Sequence, residues 1–339
     1  MKTRYFLASL YLVSVLSISA QENNLKAYVV GFYNLENLFD TIDSPDVNDE
    51  EYTPVNGWGT MKYTNKLERM SYAISKMPEE LAILGVSEIE NRQVLEDLAA
   101  QPAIKERNLK VVHYDSPDLR GVDVGLFYDP AVFTVTNTAS YRIRTTIPDF
   151  ISRDQLVVTG RLAGEEIHVI VLHWPSRGGG ENRSNPRRRD AALTTRAIVD
   201  SLFSADTNAK IIVMGDLNDD PVNASVVIHL GAKNEKSDMK PQHLYNPCYI
   251  LYKKGIGSLG YNDQWNLFDQ VMVSYELLPK TKGDFATLKY VKSEIFNKDF
   301  LKASSGKYKG YPLRTHAGGV WLNGYSDHFP SLIWLLKEE

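Results

Sequence analysis

Short, nearly wholly apolar runs of strand-forming residues recur along this chain, and several stop abruptly at a carboxylate, an amide or a histidine. The runs are "AYVVGFY" (27–33), "LAILGVSE" (81–88), "LKVVHY" (109–114), "VDVGLFY" (122–128), "QLVVTGRL" (155–162), "IHVIVLH" (167–173), "KIIVMGD" (210–216), "FDQVMVS" (268–274) and "PSLIWLL" (330–336). Side chains of a strand alternate between two faces, so a run apolar at every position needs cover on both. That requirement excludes a single sheet open to solvent.

Helical patterns supply part of the cover. Residues 60–77 place Leu67, Met70, Ile74 and Met77 on one face of a helix. A second helix is predicted from Asn185, with Pro186 at its first position, through Leu193, Ile198 and Leu202. Two strand pairs lack an intervening helix, 122–128 with 132–136 and 155–162 with 167–173, and read as hairpins with antiparallel pairing. The expected fold class is α/β, a four-layer α/β/β/α sandwich: two mainly antiparallel sheets packed face to face with helices outside. No repeat, low-complexity tract or linker divides the chain, so one domain over 21–339 is the simplest organisation. Residues 229–320, rich in Lys, Gly and Tyr, show weak periodicity.

The first twenty residues carry Lys2 and Arg4, an apolar run from Tyr5 to Leu16, and small residues up to Ala20. That is the pattern of a secretory signal peptide, and the run is short for a membrane span of ~20 residues. Export to the periplasm or the outside is therefore expected, with no stable membrane span. The chain has 38 basic and 42 acidic residues. Removing residues 1–20 takes away Lys2 and Arg4, leaving 36 against 42 and a net charge of −6. A strongly cationic nucleic-acid coat is excluded. The single cysteine, Cys248, forms no internal disulfide, so the protein must stand on its own core.

"VMGDLNDDP" (213–221) is the sharpest of the strand endings. In a continuing strand Asp216 and Asn218 would share one face, with Leu217 in the core. A carboxylate beside an amide suits hard-cation or phosphate chemistry. The alternative is an Asx turn, since Asp, Asn and Pro are all turn formers. Similar endings recur: Asn34, Glu36 and Asn37 after one strand, Glu88 and Glu90 after another, and His173 followed by Arg177. Asp269 opens a further strand, and Asp327 and His328 directly precede the last.

This ordered set resembles the endonuclease/exonuclease/phosphatase superfamily, which includes pancreatic-type deoxyribonucleases, exonuclease III-like nucleases, neutral sphingomyelinases and inositol-polyphosphate 5-phosphatases. The likeness covers about 27 to 337 and rests on "GDLN" and "SDH" in order, with the earlier Asn and Glu. The stretches "LHWPSRGGGENRSNPRRRDAA" and "RTHAGGVWLNGYSDHFP" look like a group of exported bacterial members, many from Bacteroides-like organisms. The resemblance implies a divalent cofactor, Mg²⁺ or Mn²⁺, with Glu88 as acidic ligand, Asn34 near the metal and Asp327 as a further metal-facing carboxylate. It implies that Asp216 positions or deprotonates the attacking water. Asn218 would hold a phosphate oxygen, His328 would contact the scissile phosphate, and Asp269 would orient that histidine. His173 matches the histidine-bearing branch, with Asp123 as its possible partner or else a surface acid paired to Arg120 or Arg142. Glu36 and Glu90 read as flanking structural acids.

Arg177, Arg183, Arg187, Arg188 and Arg189 follow His173 and read either as a phosphate-binding rim, with Arg177 nearest the chemistry, or as a solvated helix face with salt bridges. Glycines 178–180 lack the Lys-Ser or Lys-Thr of a phosphate loop. Lys307, Tyr308, Tyr311 and Arg314 could line a substrate groove by stacking and charge. The expected function is an exported metal-dependent nuclease cleaving DNA or RNA, with no obligate protein partner. The alternatives are a phosphatase or phospholipase C-type phosphodiesterase on inositol phosphates or phospholipids, and a catalytically silent binding module. A lipid substrate would call for an exposed apolar hairpin, for which Trp58 and residues 245–265 are the candidates.

Overall fold

The computed structural model describes residues 24–261 and 263–339; the expected signal peptide lies outside them. In chain order the strands are β1 (Leu25–Leu38), β2 (Leu81–Ile89), β3 (Lys110–His113), β4 (Asp123–Tyr128), β5 (Phe133–Tyr141), β6 (Gln155–Leu162), β7 (Glu165–His173) and β8 (Ile211–Asp216). They continue with β9 (Leu244–Tyr245), β10 (Leu259–Tyr261), β11 (Gln264–Asn266), β12 (Asp269–Ser274), β13 (Lys289–Ile295), β14 (His316–Ala317), β15 (Val320–Trp321) and β16 (Ser331–Glu338). The α-helices are α1 (Thr60–Ser75), α2 (Arg92–Ala99), α3 (Glu181–Ala205) and α4 (Cys248–Lys253).

Two six-stranded sheets carry the fold, one in the order β13-β16-β1-β2-β4-β3 and the other β5-β6-β7-β8-β12-β9. Each contains a parallel pair, β1 with β2 and β7 with β8, and is otherwise antiparallel. The two-sheet sandwich read from the sequence is present.

The alternation of side chains explains why the strands are apolar throughout. On β1, Val30 and Phe32 enter the core between the sheets, while Val29 and Tyr33 enter a second core with Leu67, Met70 and Ile74 of α1 and Leu95 and Leu98 of α2. On β8, Ile212 and Met214 face the inter-sheet core, whereas Ile211 and Val213 pack with Ile198, Val199 and Phe203 of α3. Helix α1 buries Leu67, Met70, Ile74 and, just past its end, Met77, as its periodicity predicts.

Two local expectations are corrected. The pairing of 122–128 with 132–136 does not form: β4 is held between β2 and β3, so it has no free edge to offer. The chain instead turns at Asp129, where Phe133 N–H donates to the Asp129 carbonyl, and crosses into the second sheet, where β5 pairs with β6. The other expected hairpin, β6 with β7, is present. Helix α3 begins at Glu181, so Pro186 lies inside it, where it removes one intrahelical hydrogen bond.

Candidate active site

The sheets end together at one edge. Asp216, the last residue of β8, is in register with His173 of parallel β7 and with Asp269, the first residue of antiparallel β12. In the first sheet Asn34 on β1 stands opposite Ser87, next to Glu88. Asp327 and His328 arrive on the segment leading into β16. Residues up to 292 positions apart thus meet, as in the bond from Ser326 Oγ to the Asn34 carbonyl.

Asn34 joins the sheets. Its Nδ2 donates to Glu88 Oε1 at 3.0 Å and to Asp216 Oδ2 at 3.1 Å, while its Oδ1 accepts from Glu36 N–H. The buried His173 places Nε2 3.8 Å from both Glu88 Oε1 and Asp216 Oδ2. His328 Nδ1 and Asp269 Oδ2 are 2.6 Å apart, with His328 Nε2 3.9 Å from Asp216 Oδ2. Glu36, Asn37, Glu88 and Asn218 all hold positive φ, between 49° and 56°. Such backbone costs energy and persists where surrounding contacts over-determine it.

The Asx turn read from "GDLN" is present, and it leaves one Asp216 oxygen facing the polar cluster. Asp216 Oδ1 accepts Asn218 N–H at 2.9 Å, an Asx turn, and its other oxygen takes part in the polar cluster. The turn ends the strand, so Asn218 does not simply continue its face. Its Nδ2 donates to the Trp174 carbonyl, leaving one N–H for another acceptor.

The charge states follow from burial and neighbours. Burial pushes Asp216 up to about 7; His328 opposes the shift, and Asp269 and Glu88 add to it. Burial, with Arg153 and Arg120 near, holds His173 well below its ordinary value, so the ring is neutral at pH 7. Burial also disfavours charge on His328, but Asp269, then Asp216 and Asp327, reverse this and hold its pKa well above the ordinary value. The two histidines therefore differ: one neutral, one protonated and donating to Asp269.

The remaining predicted residues sit as follows. Asp327 lies beside His328, with Oδ1 3.9 Å from its Nε2, and its Oδ2 receives Arg314 Nη2 at 2.8 Å. Arg314 also reaches Glu36. Arg177 donates to the Asn218 carbonyl, Glu181, Asp219 and Asn223 and covers the Phe268 ring, so it braces the loop that carries Asn218. Asp123 is not the partner of His173. It receives His113 Nε2 at 3.0 Å and Ser116 N–H, because β4 starts beside β3 whereas His173 ends a strand of the other sheet. The surface pairings with Arg120 and Arg142 are absent too: those arginines pair with Asp118 and Asp154.

Below the site lie supports, of which Glu36 was read from the sequence as a structural acid, whereas Lys66 and Arg153 were not singled out. Lys66 is fully buried in α1, donates to Thr315 Oγ1 and the Tyr325 carbonyl, and burial pulls it down to about 8. Burial, with Asp327 adjacent, raises Glu36 to about 7, and its Oε2 accepts Thr315 N–H. Arg188, one of the three consecutive arginines, is completely buried, and its Nε is 2.8 Å from Asp219 Oδ2. It is neither rim nor solvated face. Arg189 pairs with Asp190, and Arg187 lies over Phe150. Arg153 donates to Asp118 and the Trp174 carbonyl, fixing the acceptor that Asn218 uses.

One ligand atom each from Glu88, His173 and Asp216 lies within 4.8 Å of the others. This donor set fits a divalent ion: two carboxylates suit a hard cation, and a neutral imidazole is competent to ligate. Asp216 is raised partly by Glu88, and a cation beside them would reverse that repulsion. Asp327, expected among the ligands, lies on the Arg314 side of this group.

Such an edge of polar groups on a two-sheet sandwich suits metal-assisted phosphoester hydrolysis. A model of the endonuclease/exonuclease/phosphatase family matches residues 29–337, and the chain belongs to that family, whose members hydrolyse phosphoester bonds with divalent metals. A family member from Bacteroides thetaiotaomicron is similar in structure, with a TM-score of 0.57 and 16% identity over 93% of this chain and 99% of that one. The mannosyl-6-phosphatase Bt3783 of the same species gives 0.56 and 14%, covering 91% and 99%. The D. rerio TDP2 complexed with single strand DNA product gives 0.53 and 12%, covering 91% and 98%. At these identities the likeness is one of fold. No curated protein matches the chain.

Proposed function

We propose that the protein is an exported nuclease that cleaves phosphodiester bonds by in-line attack of water, with removal of residues 1–20 delivering it to the periplasm or beyond. The observation that carries the reading is the pairing of unlike groups around one point: Asp216, neutral His173, and the charged His328–Asp269 pair. Glu88 and Asp216, with His173 adjacent, would hold Mg²⁺ or Mn²⁺, which would neutralise charge on the phosphate.

Asp216, whose Oδ2 sits between Asn34 and the two histidines, orients the attacking water and takes its proton. His328, kept protonated by Asp269, stabilises charge developing on the phosphate oxygens and has a proton for the departing oxygen. Asn218 offers its remaining amide hydrogen to a phosphate oxygen. The DNA-bound relative of the same fold supports a nucleic-acid substrate.

A second reading, a phosphatase on small phosphoesters, is favoured by a different observation. Arg177, Arg188, Arg189 and Arg314 are all engaged by carboxylates of the protein itself, which leaves little free charge for a long polyanion.

The deciding experiment offers plasmid and single-stranded DNA to the protein in Mg²⁺, beside EDTA and an Asp216→Ala control. Cleavage lost in both controls is the expected result. Folded protein that spares all nucleic acid yet releases phosphate from small esters would overturn the nuclease reading and leave the phosphatase one.

A further inference from the structure

Beside the catalytic edge runs a cavity of about 680 Å³, within the range of small-molecule sites. One end reaches Asp327 and Arg314, and Asp327 Oδ1 is 3.9 Å from His328 Nε2. Its aromatic walls come from two separate segments. The β10–β11 hairpin brings Tyr261, and the loop after Leu301 brings Lys307, Tyr308 and Tyr311.

Tyr261 is 68% exposed and Tyr308 53% exposed, although both face the same cavity. Neither is needed to fill a core. Tyr311 is a fixed wall: it meets Trp265 edge-on with ring centroids 5.0 Å apart and lies tilted to Tyr308 at 6.2 Å. A Cβ at Gly260 would fall 2.6 Å from the Tyr311 ring, so glycine there lets the ring press against the hairpin backbone. Lys307 stands over the Tyr308 ring at 5.5 Å.

We propose that this cavity is a subsite for one unpaired nucleoside of the substrate, stacked on Tyr308 beside Tyr311, with the attached phosphate directed to His328. The proposal rests on the nuclease reading and narrows it to strands whose bases are free. Rings from two sides, with a cation at the rim, match how proteins hold single-stranded bases without reading sequence. A paired base, stacked within a duplex, has no face to offer.

The test separates binding from catalysis. Quenching of intrinsic fluorescence by adenosine 5′-monophosphate is measured in EDTA for the parent, Tyr308→Ala and Tyr308→Phe, with mannose 6-phosphate as rival ligand. The exposure of Tyr308 makes both variants compatible with folding. About tenfold weaker nucleotide binding is expected in Tyr308→Ala, the size of a lost base–aromatic stack, with recovery in Tyr308→Phe. In Mg²⁺ the same variants should raise or restore KM for a single-stranded oligonucleotide while leaving kcat within about twofold. Equal nucleotide binding by parent and Tyr308→Ala overturns the subsite even if DNA is cleaved. So does Tyr308-dependent binding of mannose 6-phosphate in place of the nucleotide. Tyr308-dependent nucleotide binding without cleavage of any nucleic acid upholds the subsite and removes the nuclease reading.

Discussion

At the scale of single residues, Asp269 matters through what it does to His328. Without it, only Asp216 and Asp327 oppose the burial that disfavours the charged ring. Asp269→Asn should therefore lower kcat by about 10²–10⁴-fold and move the alkaline limb of the pH–rate profile to lower pH, because the proton leaves His328 sooner. An unmoved limb would show that Asp269 only packs. Glu90 provides a test away from the chemistry. Burial raises it to about 7, and it accepts Asp40 N–H and Ser44 Oγ–H. Its folded pKa exceeds its unfolded value of about 4.5, so the folded protein retains a proton that the unfolded chain gives up. That contribution to stability is fully present below the unfolded value and is lost as the pH rises through 7. Glu90→Gln keeps a neutral acceptor. In EDTA, its thermal midpoint should fall less between pH 5 and pH 8 than that of the parent. Asp216 and Glu36 titrate in the same window, so the difference between the two proteins isolates Glu90.

The elements depend on close approach of the sheets. Gly85 on β2 faces the inter-sheet core, where a Cβ would lie 2.6 Å from Met214 Sδ and 3.1 Å from a Val171 methyl. Gly85→Ala should destabilise by about 1–3 kcal/mol through overpacking. Adding Met214→Ala should cost less in the Gly85→Ala background than alone, as a double-mutant cycle by urea unfolding would reveal. Additive effects would place the strain elsewhere. This scale also explains what the sequence could and could not reveal. Strands such as β7 and β8 were legible because burial on two faces writes itself into every position, and their polar endings stood out against it. The partnering of β4 was illegible because a free edge belongs to the whole sheet, not to residues 122–136. Nothing in the sequence marks Lys66 or Arg188 for burial, since such residues are rarely buried. Their burial depends on distant partners: Lys66 bonds to Thr315, 249 residues away. Asp123 misled for the same reason, as the histidine beside it was set by strand order and not by spacing.

The site belongs to the molecule as a whole, because Glu88 comes from one sheet and His173 and Asp216 from the other. A divalent ion among them would pin the two sheets at their shared edge, and only in the folded chain do these groups meet. Ion binding must then appear as stability. A ligand specific to the folded state contributes RT ln(1 + [L]/Kd), about 2.7 kcal/mol at a hundred times Kd. Mg²⁺ or Mn²⁺ should raise the thermal midpoint of the EDTA-treated protein, and Glu88→Gln should lose most of that rise. The same substitution should not weaken the metal-free protein greatly. It removes a negative charge that disfavours ionised Asp216 while keeping an acceptor for Asn34 Nδ2. The two arms point in opposite directions, so a general loss of structure cannot imitate the result. If Glu88→Gln retained the full metal-dependent rise, the ion would sit elsewhere, and the roles argued for Glu88 and Asp216 as its holders would fall with it.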